Sequence, residues 1–427
     1  METDIQASAD GALLYGLSGQ HVHAVRSHPS TAIEERMGQG LAELHRLEQC
    51  WHRLVATLPT PRFVHTFEWQ LAYLRHLESN PETVYYISFT VEGRAIAIFP
   101  LRRVRRSVGH IQHWLWELPT HPHLILGEAL IAPEWADAGL LQRLLGVLEK
   151  RTHLPWDALH LPNLLEDAQL IRLLMRTPLP RTHLERTGES MYFDCADLER
   201  ALANCSSQFK RNLRRQGRKL EQCGSVTLCL ARQGEELDAA FADFLRLEAS
   251  GWKGRDGKAS AISLHAHLLG FYDELKERFA ARGTSLIALL KLDGVAIAAQ
   301  FCLRVGDTLY VHKIAYDETW QAEAPGNQLL YRLLDHCCGE PGIRQLSLVT
   351  APAWACGRWN PEQMEVWEAY LFRASPRGLG GLAMRRFKNR LGEATQAVWA
   401  RSRASLGGSL VRSAALLRVV ARSGAGR

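Results

Sequence analysis

The sequence predicts a mixed α/β fold made of two related units in tandem, on three observations. Strand-like runs joined by two-residue turns alternate with amphipathic helical stretches, as in a chain whose helices cover a sheet. The order of these segments occurs twice. The copies also match in residues: Gly93, Ala95, Ile96, Ala97, Arg103 and Val104 align with Gly294, Ala296, Ile297, Ala298, Arg304 and Val305 at a constant offset. Downstream, GLLQRLL (139–145) aligns with GNQLLYRLL (326–334) through Leu140/Leu329, Leu141/Leu330, Arg143/Arg332, Leu144/Leu333 and Leu145/Leu334. Two matched stretches in one order indicate a duplicated unit.

Taken in order, residues 1–40 show no clear periodicity and are expected as a loose arm. A helical pattern begins at Leu41 and continues through Leu44, Leu47, Trp51 and Leu54. VYYISFTV (84–91), a Glu92-Gly93 turn and AIAIFPLRRV (95–104) form a hairpin, because β-branched and aromatic residues alternate on both sides of a tight turn. HLILGEALI (123–131) is a further strand, Leu140, Leu141, Leu144, Leu145 and Leu148 share one helical face, and DALHL (157–161) returns to a strand. The second copy repeats this with SLIALLKL (285–292), an Asp293-Gly294 turn, VAIAAQFCLRV (295–305), TLYVHKIAY (308–316), a leucine-faced helix at 329–334 and RQLSLV (344–349). Between the copies lie a cationic run and helical segments at 235–250 and 264–282. The expected division is an arm at 1–40, a first unit at 41–195 that does no chemistry, a second at 196–395 that does, and a basic tail at 396–427.

With 46% hydrophobic and 22% charged residues over 427 positions, the chain is neither disordered, collagen-like nor a coiled coil. Its charge is uneven. Arg373 to Arg427 holds twelve basic residues against one acid, Glu393, so that end carries +11 and residues 1–372 about −5 of the formal net +6. The nine cysteines include no CxxC pair, and His110, His113, His121 and His123 form no metal-site spacing, so reduced thiols and no metal are expected. No signal peptide is evident, and no apolar run approaches the roughly 20 residues of a membrane span. A cytoplasmic protein is expected. In its tail Leu406, Leu410, Ala414, Leu417 and Val420 interleave with Arg412, Arg418 and Arg422, which suits either an interfacial helix at the inner membrane or a disordered basic end.

Four constellations carry chemistry. Pro325-Gly326-Asn327-Gln328 stands between a strand and an amphipathic helix, where a proline start, a small residue and the positive end of the helix dipole suit a pyrophosphate; a plain helix start has the same composition. The first copy has Ala136-Asp137-Ala138-Gly139 there, and a carboxylate would repel phosphate. The run 206–224 places Lys210, Arg211, Arg214, Arg215, Arg218 and Lys219 within ten residues, either a solvated face or a site for an anion. In LEASGWKGRDGKAS (247–260), Trp252 and Lys253 lead into a Gly- and Lys-rich loop that is a substrate clamp or a plain surface loop. On YVHKIAYDE (310–318), strand alternation puts His312 and Tyr316 on one face with Tyr310 and Ile314. His312 is a candidate general base, Glu318 or Asp317 an alternative, and Tyr316 or Tyr310 a candidate acid for a leaving group.

These residues resemble the bacterial CelD/BcsL (BioF2-like) acetyltransferases, a branch of the GNAT superfamily. The resemblance covers about 200–390 and rests on KRNLRRQGRKLE, the helix ending in Trp252, LIALLKLDGVAIAAQFCLRVGDTLY, AYDETWQAEAPGNQLLYRLL, and the late Trp359 with SPRGLGG. Cys356-Gly357-Arg358 stands where many members carry a Tyr-Lys pair. The resemblance implies tandem GNAT-like domains in a Fem-like arrangement. It further implies transfer of an acyl group, acetyl first among them, from acyl-CoA held at Pro325-Gly326-Asn327-Gln328 to an amino or hydroxyl group of a cell-envelope polysaccharide precursor. The acceptor is expected near Lys210, Arg211, Arg214, Trp252, Lys253 and Trp359. An aminoacyl-tRNA-dependent transferase of Fem type and a non-catalytic scaffold for anionic lipid or polysaccharide are the alternatives; nucleic acid is not the expected partner.

Overall fold

A computed structural model describes residues 32–108, 111–150, 154–177, 179–251, 253–255 and 257–405, with side chains to Arg390. The first half runs β1 (Ile33–Gln39), α1 (Gly40–Val55), α2 (Phe67–Ala72), β2 (Val84–Val91), β3 (Arg94–Val108), β4 (Ile111–Glu117), β5 (Leu130–Ile131), α3 (Ala138–Lys150), β6 (Ala158–Leu165), α4 (Gln169–Arg176) and β7 (Thr182–Asp194). The second runs α5 (Leu198–Ala201), α6 (Ser207–Cys223), β8 (Val226–Ala231), α7 (Gly234–Ser250), α8 (Ala266–Ala280), β9 (Ser285–Leu292), β10 (Val295–Val305), β11 (Thr308–Tyr316), α9 (Pro325–Gly339), β12 (Gln345–Ser347), β13 (Glu362–Phe372) and α10 (Pro376–Ser405).

The duplication is written into one mixed sheet, ordered β1-β2-β3-β4-β6-β13-β7-β12-β11-β10-β9-β8 with β5 paired to β3. Read inward from either edge, β1-β2-β3-β4-β6 mirrors β8-β9-β10-β11-β12. The last strands are exchanged: β7 pairs with β12 of the second half, β13 with β6 of the first, and the two pair antiparallel at the centre. The twin hairpins share a turn in which both central residues have positive φ, Glu92 and Gly93 in one and Asp293 and Gly294 in the other. That geometry matches the twist of the flanking strands and explains why these hairpins are legible in the sequence. On one face, α1 and α2 of the first half and α7 and α8 of the second share a single apolar cluster. On the other, α3 and α4 cover the first half and α6 and α9 the second.

Several expectations are corrected. Residues 33–39, assigned to the loose arm, form β1 against β2. Of HLILGEALI only Leu130–Ile131 is a strand; 123–129 is a loop, and its buried Leu124 and Leu126 serve the shared core rather than a ladder. Strands β4, β7 and β13 lie in stretches without strand signal. Helix α10 packs on β13 and β7 and its last turns, residues 396–405, open the stretch assigned to the basic tail; the rest of the tail, with the proposed interfacial pattern, lies outside the described residues. Among the described residues no helix is long and apolar enough to cross a membrane.

Candidate functional site

The two halves differ where the fourth strand should part from the fifth. In the second half β11 and β12 run parallel only over Thr308–Tyr310 and Gln345–Ser347. Then β12 leaves: Leu348 N–H donates to the Met191 carbonyl, and Val349 takes a positive φ. β11 continues to Tyr316 beside β10 alone, so its other edge is open from Val311 onward. In the first half the equivalent parting follows Glu117 and His160, the last pair of β4 and β6. There the chain closes its own gap. Residues 118–129 fold back along β6, with Leu118 N–H on the His160 carbonyl and Gly127 N–H on the Asn163 carbonyl, before β5 resumes beside β3.

The open edge of β11 lies on a cavity of about 660 Å³. Ile314 and Tyr316 of β11, Gln300 of β10, the α9 start at Pro325, Gly326 and Asn327, and the α6 face Gln208, Phe209, Asn212, Arg215 and Gln216 line it, with Trp354 and Arg358. Pro325 is the first residue of α9, after Ala324 in the left-handed conformation and with no side-chain cap. The Gly326 amide has no partner among the described residues, so it and the helix dipole are turned to the cavity. Gln300 is 3% exposed and its Oε1 has no hydrogen-bond partner. A buried carbonyl oxygen without a donor is costly in an empty site and useful in a filled one. The lining holds two arginines, Arg215 and Arg358, and no carboxylate. Neither arginine forms an ion pair among the described residues.

The sequence-predicted residues divide. Pro325, Gly326 and Asn327 line the cavity, although Asn327 Oδ1 accepts from Trp359 Nε1 at 3.1 Å. Gln328 does not: its amide donates to the Leu213 carbonyl at 2.9 Å, and it is buried where α9 crosses α6. Trp359 is fully buried against Phe193 and Phe209, a support under Asn327 rather than an acceptor contact. Of the cationic run only Arg215 lines the cavity; Arg211 is exposed and donates to Gln208 Oε1 at 2.7 Å, Arg214 is exposed and Lys210 is half-buried. Trp252 lies outside the described residues. Arg358 and Gln300 were missed by sequence reasoning. Arg358 stands in a loop without periodicity, while Gln300, a lone amide inside an apolar strand, was a usable signal.

The larger correction concerns β11. A bulge pairs Phe301 with Lys313 and Cys302 with Val311, leaving His312 as an extra residue. Strict alternation is broken, so His312 and Lys313 both face the α7–α8 side while Ile314 and Tyr316 turn to the cavity. His312 packs against Phe63, Trp69 and Tyr272 and is buried. Burial, then the neighbouring Lys313 charge, holds its imidazole well below the ordinary value, so it stays neutral and sealed from the cavity. Tyr316 is half-exposed in the cavity wall, 3.7 Å from where a Cβ on Gly326 would stand. Glu318 is exposed above Gly251 and does not line the cavity. Lys253 pairs with buried Glu248 at 3.2 Å on the α7–α8 side.

The site can therefore hold an elongated ligand with an anionic end at the α9 start and a linear arm along an unpaired strand edge. No curated protein sequence matches the chain. Among solved structures, the crystal structure of FemX shares 10% identity over 77% of this chain and 96% of that one, at a TM-score of 0.49. The C-terminal domain of a putative lysylphosphatidylglycerol synthetase from Agrobacterium fabrum shares 11% over 79% and 95%, at 0.48. A tandem GNAT protein from the clavulanic acid biosynthesis pathway shares 12% over 80% and 100%, at 0.44. Residues 207–355, which run from the start of α6 to the loop before Trp359 and include the cavity-lining residues other than Ser206 and Arg358, match the family model of the acetyltransferase (GNAT) domain.

Proposed function

We propose that the second half is an acyltransferase whose donor is an acyl-CoA thioester, and that the first half has no donor site and shapes the acceptor side. One observation carries this reading: β11 and β12 part after Tyr310 and Ser347 directly above an uncapped helix start, in the segment that matches the GNAT domain. Bound there, the thioester supplies an activated acyl carbon. The chain does the rest. The Gly326 amide and the α9 dipole, with Arg215 and Arg358 at the rim, suit the donor's phosphates. Gln300 Oε1 offers an acceptor to an amide of the donor arm. Backbone N–H groups on the open edge of β11 are placed to polarise the carbonyl as charge develops on its oxygen, and the Tyr316 hydroxyl, in the cavity wall, to return a proton to the departing sulfur. Acetyl as the acyl group and an envelope-polysaccharide amino or hydroxyl group as acceptor rest on the resemblance to CelD/BcsL-type enzymes.

The first half is supported as a non-donor by its own chain, since residues 118–129 occupy the equivalent gap. The test is calorimetric titration of CoA and acetyl-CoA. Gly326→Glu adds a carboxylate at the phosphate end with room for its Cβ, and the expected loss of affinity is about tenfold or more. Unchanged affinity would remove the donor from this place. A second reading is favoured by the outward cations Arg211, Arg214, Arg218 and Lys219 of α6, which form no ion pair among the described residues: an aminoacyl-tRNA donor. Binding of RNA that weakens steeply with salt would support it over acyl-CoA.

A further inference from the structure

The α7–α8 side of β11 carries a second group of polar residues, assembled by both halves. The bulge turns Lys313 to this side, directly across the strand from Ile314 and Tyr316 of the donor cavity. Its ammonium stands 5.9 Å from the centre of the Tyr272 ring and has no ion pair or hydrogen bond among the described residues. Tyr272 on α8 shares a 2.7 Å hydrogen bond with His123 Nδ1, from the 118–129 segment of the first half, and lies 3.5 Å from His312 Nδ1. The second amine, Lys253, follows α7 beside Glu248, whose other oxygen accepts from the Ile262 amide at 2.7 Å. Glu248 is thus spent on Lys253 and the backbone, and Lys313 is left uncompensated.

We propose that this junction receives the acceptor, and that Lys313 and Lys253 hold a carboxylate or phosphate borne by it while its nucleophile meets the acyl group beside β11. The inference rests on the donor reading, because an acceptor at Lys313 is productive only with a thioester across the same strand. It explains three features together: why the bulge turns two successive side chains to one face, why the first half sends His123 to Tyr272, and why a largely buried amine has no counter-charge. A small acceptor with a negative group would neutralise Lys313 as it binds, and an uncharged one would leave it unpaired.

The physical state of Lys313 makes the test direct. Burial, then the Lys253 charge, brings its amine down to about 8, against a small upward pull from Glu248. His123, held at about 3 by burial and then Lys313, His121, lowered first by burial, and Tyr272 and His312, both uncharged, also face it. Trace acetylation of the full chain with acetic anhydride across pH 6–11, read by peptide mass spectrometry, should give Lys313 a half-maximal rate near pH 8, with exposed Lys219 as the reference for reagent reactivity. Millimolar inorganic phosphate or succinate should protect Lys313 about tenfold, the effect on the neutral fraction of one unit of upward shift, and leave Lys219 unchanged. Phosphate and succinate in separate arms tell which group is preferred, and Lys253→Met should weaken the protection. No labelling of Lys313, a half-maximal rate well above pH 8, or no protection by either anion would overturn the inference, since an amine closed to acetic anhydride is closed to an acceptor. A CoA titration on the same preparation separates the two readings: protection without CoA binding sinks the donor, and CoA binding without protection sinks the acceptor site alone.

Discussion

At the scale of single residues, the site's chemistry follows from which buried polar groups are paired. Gln300 is the test of an orphan. Leucine in its place fills nearly the same volume and removes an acceptor that has no donor, so Gln300→Leu is expected to unfold at the same temperature or higher while CoA affinity falls about fivefold, the worth of one ~1 kcal/mol hydrogen bond. Parallel losses of stability and binding would show that Gln300 is structural. Glu117, the counterpart of Tyr310 in the first half, is the opposite case. Burial would raise its carboxyl, but the His160 hydrogen bond and the Arg106 and Arg102 guanidiniums bring it to about 2. A carboxylate held below its unfolded value of about 4.5 adds stability that is fully present above that pH and is lost as pH falls towards 2. Glu117→Gln should cost about 3 kcal/mol at neutral pH, because it strands two arginines, and should lose less than wild type between pH 4.5 and 2; parallel urea-denaturation curves would contradict this. The sequence shows the α9 start and the cationic run because each is a local cluster. It cannot show that Gln328 turns into the α6–α9 contact and that Arg214 does not line the cavity, since that depends on the angle at which α6 crosses α9.

Among the elements, the 118–129 segment fills, in the first half, the gap that the second half leaves open beside β11. Its fit is tight: a Cβ on Gly127 would overlap the Pro162 carbonyl oxygen of β6. Gly127→Ala should therefore destabilise by about 2 kcal/mol through a forced shift of the backbone. Gly146→Ala, in α3 with nothing within 4 Å of the new methyl, should stabilise by about 0.5–1 kcal/mol through helix propensity. Thermal melts of both variants check the contrast, and a neutral Gly127→Ala would mean that the segment is not seated on β6. The hairpins β2–β3 and β9–β10 and the helices α3, α6, α7 and α9 were legible because turn chemistry and apolar periodicity are local. β7 and β13 were not. Their half-buried stretches mix Glu and Arg with apolar residues, and Glu365 opposite Glu189 or Arg186 near Glu365 is sensible only once the two strands, far apart in sequence, are paired. The β11 bulge was equally hidden, since nothing in TLYVHKIAY marks where alternation fails.

For the whole molecule, exchange of the last strands decides how the chain unfolds. A duplication read from sequence suggests two domains that melt separately. Here β13 is flanked by β6 and β7, β7 by β13 and β12, and α1 and α2 share one apolar cluster with α7 and α8. Neither half owns a complete sheet or a complete core, so neither has a stable state to occupy while the other is open. Scanning calorimetry of the full chain should show a single transition with van't Hoff and calorimetric enthalpies in agreement, and CoA bound in the proposed cavity should move that whole transition upward although that cavity is lined by the second half alone. Ending the chain after Asn360 removes β13 and should abolish folding of the first half as well, because β6 and β7 would each present an unpaired edge at the centre of the sheet. Two resolved transitions, or a first half that keeps its melting behaviour without β13, would show that the halves are independent domains. The donor cleft and the acceptor junction would then lose their common frame, since β11 is held against the first half by the same shared core.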